Sequence, residues 1–221
     1  MPRVFLLRSC APALTRAREV VSNMQGWEVS GESTRVREAI EPLRENPPDV
    51  LACDLSFGDG GIDRLAPHLR FWPRRPLILL LATTPEDMPL FDALRWGAHA
   101  YCVVQPNGAG LEAGLRRLAA GRASMSPSIA RRSLALFGLG RCHSEESSRV
   151  EASRDWTPLG LAPGLARCEQ HLLSLLASGM LSTEIAALWD MAEVEIERRM
   201  AAIYSRLHAL LTHTEPDRMM A

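Results

Sequence analysis

The chain has 221 residues, 47% of them hydrophobic, and a formal net charge of −1, which leaves room for one large domain or two small ones and excludes a global basic field. No apolar stretch approaches the ~20 residues that a bilayer-spanning helix needs, and Met1-Pro2-Arg3 leads into too short an apolar run for a signal peptide. Five cysteines are scattered without the paired spacing of zinc or redox motifs, so neither a metal nor a cofactor is expected and the compartment expected is the cytoplasm.

In chain order, Val4–Leu7 reads as a first strand and Ala13 to about Asn23 as a helix. Trp27–Val29 is a second strand, followed by a helix from about Ser33 to Arg44 with Val36, Ile40 and Leu43 at helical spacing. Val50–Cys53 is a short apolar run entered through Pro47-Pro48 and left through the Gly-rich loop Gly58–Gly61, the pattern of a strand buried on both faces. Asp54 ends it, at the carboxyl end where open α/β sheets place their chemistry. A helix near Ile62–Leu69, a strand Leu77–Leu81, a helix from about Pro85 to Trp96, a strand Ala100–Val104 and a helix from about Ala109 to Ala120 complete the half. This alternation predicts a doubly wound parallel sheet of five strands, in the flavodoxin-like order, over residues 1–121. Buried thiols are the plain reading of Cys10, Cys53 and Cys102. A redox role is the alternative, because all three fall at or near predicted strand ends.

Asp54 at the end of the third strand, Asp92-Ala-Leu-Arg-Trp-Gly97-Ala98 and the following Tyr101 resemble the receiver domain of bacterial response regulators, LuxR/NarL (FixJ-like) class. The resemblance implies that Asp54 is the phospho-acceptor position. It implies an acidic pair for Mg²⁺ after the first strand, a Ser/Thr ending the fourth and a Lys ending the fifth. Those positions fall here on Arg8 and Ser9, on Ala82 (with Thr83 adjacent) and on Gln105. Neither Arg8 nor Ser9 is an anionic Mg²⁺ ligand, and Gln105 is neutral. The metal site is therefore expected to be lost, and a histidine kinase is not expected as a partner. Asp54 is either an acceptor with weak metal help or a remnant, paired with Arg8 so that a fixed cation replaces the metal.

Residues 122–164 read as a short helix, Ser128–Phe137, with Leu134 and Leu136 expected to cover the sheet domain, and then a flexible polar tether from Gly138 to Gly164. Beyond it, Leu165, Leu172, Leu173 and Leu176 define an amphipathic helix that Gly179 stops. Ser182 is a credible N-cap for a helix over Thr183–Trp189. A turn at Asp190–Ala192 leads into a helix over Glu193–Leu210 with Ile196, Met200, Ile203 and Leu207 as its apolar stripe. Two helices joined by a short turn behind a supporting helix form a helix-turn-helix, assigned to residues 165–214.

The run from Leu165 to Ala186, with Glu169, Gly179, Glu184, Ile185 and Ala186, and then Ile203, Tyr204 and Leu207, is similar without gaps to the LuxR-type DNA-binding domain. The resemblance implies a duplex-DNA partner read in the major groove. Ser182, Thr183, Arg198, Arg199 and Arg206 are the candidate contacts. Glu197 stands where the family is usually basic. Over residues 165–211 four arginines face six carboxylates, so the expected binding is weak. The sequence leaves a homodimer and a heterodimer with another regulator open. No nucleophile–base pair, metal cluster or phosphate-cradling glycine loop suggests an enzyme. Two functions remain: a phosphorylation-independent transcriptional regulator, or a degenerate regulator acting through protein partners.

Overall fold

In the computed structural model, which describes residues 1–61, 64, 65, 68, 72, 74–83, 88–95, 97–137 and 165–214, the apolar run Val4–Leu7 is fully buried in strand β1 (Arg3–Leu7). Helix α1 (Ala11–Ser22), strand β2 (Glu28–Ser33), helix α2 (Val36–Glu45) and strand β3 (Val50–Asp54) follow. Short strands β4 (Ser56–Phe57) and β5 (Gly60–Gly61) pair as an antiparallel hairpin. Strand β6 (Leu77–Ala82), helix α3 (Met88–Arg95), strand β7 (Ala100–Val103) and helix α4 (Leu111–Ala119) complete the first unit, Met1–Ser124. The main sheet is parallel, in the order β2-β1-β3-β6-β7. The strand order therefore reverses between β1 and β3, and the crevice outside their carboxyl ends is where such sheets bind and react. Leu7 lies opposite Cys53 in the register, which sets Arg8 and Ser9 beside Asp54.

Several boundaries differ from the sequence reading for identifiable reasons. β2 runs to Ser33 although Ser30, Gly31 and Glu32 show no apolar alternation. It is an edge strand, and Gly31 leaves room for the Phe5 ring, which would sit 2.7 Å from an added Cβ. Ser33 ends that strand rather than starting α2, its Oγ accepting the Arg35 N–H at 3.0 Å in the turn that serine hydroxyls favour. α2 then takes its N-terminal cap from far away: the Asp59 carboxylate, in the β4–β5 turn, accepts the Val36 and Arg37 N–H groups at 3.1 and 3.0 Å. The Arg37 N–H above all holds the Asp59 carboxyl below the usual carboxylate range, against the opposing effect of desolvation and with the Val36 N–H helping. The helix expected near Ile62–Leu69 lies largely outside the described residues, within which Leu65 is fully buried. Part of the helix expected over Pro85–Trp96 lies outside them too.

α4 starts at Leu111 because Gly110, at φ +97°, occupies its N-cap. A Cβ there would stand 2.2 Å from the Val103 carbonyl oxygen, so both the backbone angle and the contact exclude a side chain. Gly110→Ala is expected to cost the first unit about 2 kcal/mol, read as a lower urea midpoint at unchanged m-value.

The second unit, Met125–Ala221, begins with helix α5 (Pro127–Leu136), capped by Ser126 Oγ on the Ile129 N–H. α5 packs on helix α6 (Arg167–Ala177), and Arg131 donates to the Ala177 carbonyl at 2.6 Å. Of the two leucines expected to cover the sheet domain, Leu136 is exposed, and Leu134 is buried in a helix grouped with the second unit. The buried apolar positions of α5 are Ile129, Ala130 and Leu134, and sequence period alone does not say which neighbour covers them. The tether expected over residues 138–164 lies outside the described residues.

α6 ends at Gly179, φ +101°, with Met180 N–H on the Leu175 carbonyl, a left-handed stop of the expected kind. Helix α7 (Ser182–Leu188) and helix α8 (Glu193–Thr214) follow. They are joined through Asp190, which takes φ +51°. Leu172, Leu173, Ile185, Ile196, Ile203, Tyr204 and Leu207 are fully buried.

Candidate signalling site and nucleic-acid interface

The end of β3 places Asp54 in the crevice with 9% of its surface exposed. Arg8 Nε donates to its Oδ1 at 2.9 Å. Ser9 donates twice to Oδ2, from its backbone N–H at 2.7 Å and from Oγ at 2.8 Å. Both carboxylate oxygens are therefore occupied by donors from the residue pair that follows β1. The sequence reading anticipated the Arg8 pairing and missed Ser9, whose role needs the backbone to turn its N–H and hydroxyl to the same oxygen.

Ala82 is buried at the end of β6 with no hydroxyl to offer, and the adjacent Thr83 is exposed. Gln105 is exposed in the loop after β7, with its backbone N–H on the Ala109 carbonyl. Among the described residues, the hydrogen bonds to Asp54 come from Arg8 and Ser9, and no three His, Cys, Asp or Glu side chains gather as a metal site. A Mg²⁺ ion asks for several hard oxygen ligands and a net negative cavity. A single carboxylate already neutralised by a guanidinium does not fit one.

Cys53, beside Asp54, is wholly enclosed. Burial first, and the Asp54 charge next, push its thiol far above the usual range, with Arg8 opposing. Burial likewise pushes Cys102 up to about 12 against the opposing charges of Arg8 and Arg117. The thiolate is the reactive form, so both thiols are inert in the folded state. Under native iodoacetamide, mass mapping is expected to find the exposed Cys10 alkylated and Cys53 and Cys102 untouched until denaturant is added.

In the second unit the five candidate contacts separate. Ser182 is the first residue of α7 rather than its N-cap, which is Leu181. The free Leu181 N–H goes to Glu184 Oε2 at 2.8 Å, and Ser182 Oγ donates to Glu193 Oε1 at 2.7 Å, tying the starts of α7 and α8 together. Thr183 is exposed. Arg199 lies with its guanidinium carbon 5.7 Å from the Trp189 ring centroid and its Nε 3.6 Å from Glu195, a cation–π contact plus an ion pair. Trp189 leans in turn on His171, with centroids 5.5 Å apart. Arg206 Nε donates to Glu169 Oε1 at 2.7 Å, while Glu169 Oε2 accepts the Ala166 N–H. Arg206 is thus an anchor for α8 against α6. Arg198 alone of the three arginines projects outward, its side chain 59% exposed and 3.7 Å from Glu195. Glu197, which stands where the resembled family is usually basic, is 6% exposed.

No protein-family model matches the chain. Over 181 residues it is 28% identical to the DNA-binding transcriptional activator DevR/DosR of Mycobacterium tuberculosis, covering 81% of this chain and 76% of that protein. A solved LuxR-family two-component response regulator from Aurantimonas sp. SI85-9A1 matches with TM-score 0.50 and 28% identity, over 59% of this chain and 94% of that one. With the receiver-order sheet and the helix-turn-helix in one chain, it is similar to response regulators of the NarL/LuxR type. The response regulator RcsB in complex with DNA superposes with TM-score 0.52 over 96% of this chain and 98% of that one; at 18% identity the likeness is one of fold. In this chain the aspartate that ends β3 is surrounded by protein donors.

Proposed function

We propose that the regulator is a DNA-binding transcriptional regulator of the cytoplasm, not an enzyme, and that its receiver works without phosphorylation of Asp54. The observation that carries the second part is the occupation of both Asp54 oxygens by Arg8 and Ser9. An acceptor carboxylate must present an oxygen to phosphorus while cations neutralise the charge spreading over the phosphoryl oxygens. Among the described residues, the cation beside it, Arg8, is already spent on the carboxylate itself. The first part is supported by the helix-turn-helix geometry, by the likeness to DevR/DosR, a DNA-binding transcriptional activator, and by the DNA-bound state of RcsB. Among the described residues no helix is long and apolar enough to cross a membrane.

The test is fluorescence anisotropy on the regulator's own upstream duplex across a salt series, with and without a small phosphodonor and Mg²⁺. Each phosphate neutralised contributes about 0.9 to the logarithmic salt slope, and with Arg198 the outward one of the three candidate arginines the expected slope is shallow, about 1 per subunit. The phosphodonor is expected to change neither the affinity nor the intact mass. Asp54-dependent gain of phosphate would overturn the phosphorylation-independent reading. The acidic excess over residues 165–211 favours one second reading, a regulator acting through a protein partner. Absence of binding even at low salt would select it.

A further inference from the structure

The first two turns of α8 sort their side chains sharply. Ile196, Glu197 and Met200 face inward. Glu193 is engaged by Ser182, and Glu195 and Arg199 are drawn toward each other and, through Arg199, toward Trp189. Val194, 38% exposed, and Arg198 remain pointing outward, with Ala201 and Ser205 continuing the same stripe at helical spacing. Helix-turn-helix proteins present the N-terminal residues of the second helix to base edges in the major groove. A stripe of Val, Arg, Ala and Ser carries one strong hydrogen-bonding side chain, an apolar group and two small residues that let the helix approach closely. In the major groove an apolar side chain has one partner of matching chemistry, the 5-methyl group of thymine, and an arginine fork fits guanine O6 and N7.

We infer that Val194 is a specificity-determining residue, reading the 5-methyl group of a thymine, with Arg198 one turn further on reading a guanine close by. This rests on the DNA-binding reading. Four residues of helix span about 6 Å, so the two bases lie within about two base-pair steps of ~3.4 Å. Glu193 is held by Ser182, and Glu195 lies between Arg199 at 3.6 Å and Arg198 at 3.7 Å, so its charge is neutralised by both arginines and the valine is left as the leading apolar contact.

The experiment selects a duplex from a random library with the full-length protein, then replaces each thymine singly by uracil, which removes only the methyl group. Anisotropy is expected to show about fourfold weaker binding at one thymine per half-site, the value of one buried methyl, and no change elsewhere. Val194→Ala is expected to bind the thymine and uracil duplexes equally, while Val194→Ile keeps the preference. Because Val194 is exposed, circular dichroism and the melting temperature serve as folding controls. Uracil tolerance at every position, or a Val194→Ala protein that still prefers thymine, overturns the inference while leaving DNA binding intact. Failure to select any duplex at low salt overturns the DNA-binding reading and the inference with it.

Discussion

Arg8→Ala is expected to destabilise the first unit by about 3 kcal/mol, near the lower end for removing one partner of a buried ion pair. The two side chains are each only 12% exposed, so water cannot replace the guanidinium at Oδ1. The lower end applies because Ser9 keeps its two donors on Oδ2. Asp54→Ala is expected to cost less, about 1–2 kcal/mol, since a lone arginine can carry its charge toward water on its long stem. Asp54→Asn, which retains an acceptor oxygen, is expected to be the mildest of the three. The measurement is chemical denaturation of all single variants and the Arg8→Ala, Asp54→Ala double variant, whose cycle gives the coupling directly. A coupling below about 0.5 kcal/mol, the scale of surface pairs, would show that the pair is incidental. The proposed phosphorylation-independent function gives a second readout: it expects Asp54→Asn to leave duplex affinity unchanged.

The sheet was legible because its strands are nearly unbroken apolar runs. Val4–Leu7, Val50–Cys53 and Ile78–Leu81 are buried along their whole length, as strands covered on both faces by helices are. β2 was the exception, since an edge strand with Ser30, Gly31 and Glu32 shows no run and is held by its neighbour's backbone. Period and capping residues also gave α6, α7 and α8 to within a few positions. What they could not give was partnership across the chain. Arg8 and Asp54 are 46 residues apart, Asp59 and Val36 are 23 apart, and Glu169 and Arg206 are 37 apart. Helical spacing says which side of α8 an arginine lies on, but not that a buried glutamate waits for it on another helix. The same gap hid the place of Glu197: it stands where the resembled family is usually basic, whereas the residue lies on the inward arc next to Ile196. Glu169 itself was visible as a carboxylate on an otherwise apolar helix face, a signal that a cationic partner must exist.

That partner sets the last prediction: Arg206→Ala is expected to cost the second unit about 2–3 kcal/mol. Glu169 has a fully enclosed side chain, and its Oε1 depends on Arg206. Removing the arginine leaves a buried carboxylate with the Ala166 N–H as its other described donor. The penalty stays below the full range for buried pairs because the Arg206 side chain is about one-third exposed and part of its charge is already solvated. Arg206→Lys is expected to recover little, since a flexible ammonium does not reproduce the directed Nε–H bond. Glu169→Gln removes the charge but keeps an acceptor, so it is expected to cost nearer 1 kcal/mol. Urea denaturation of the full-length protein, followed by the fluorescence of Trp189 in the second unit, reads all three. The alternative assignment of Arg206 as a phosphate contact makes the opposite forecast. It requires Arg206→Ala to lose duplex affinity and flatten the salt slope at unchanged stability, whereas an anchor loses stability first and affinity only as the helix-turn-helix unfolds.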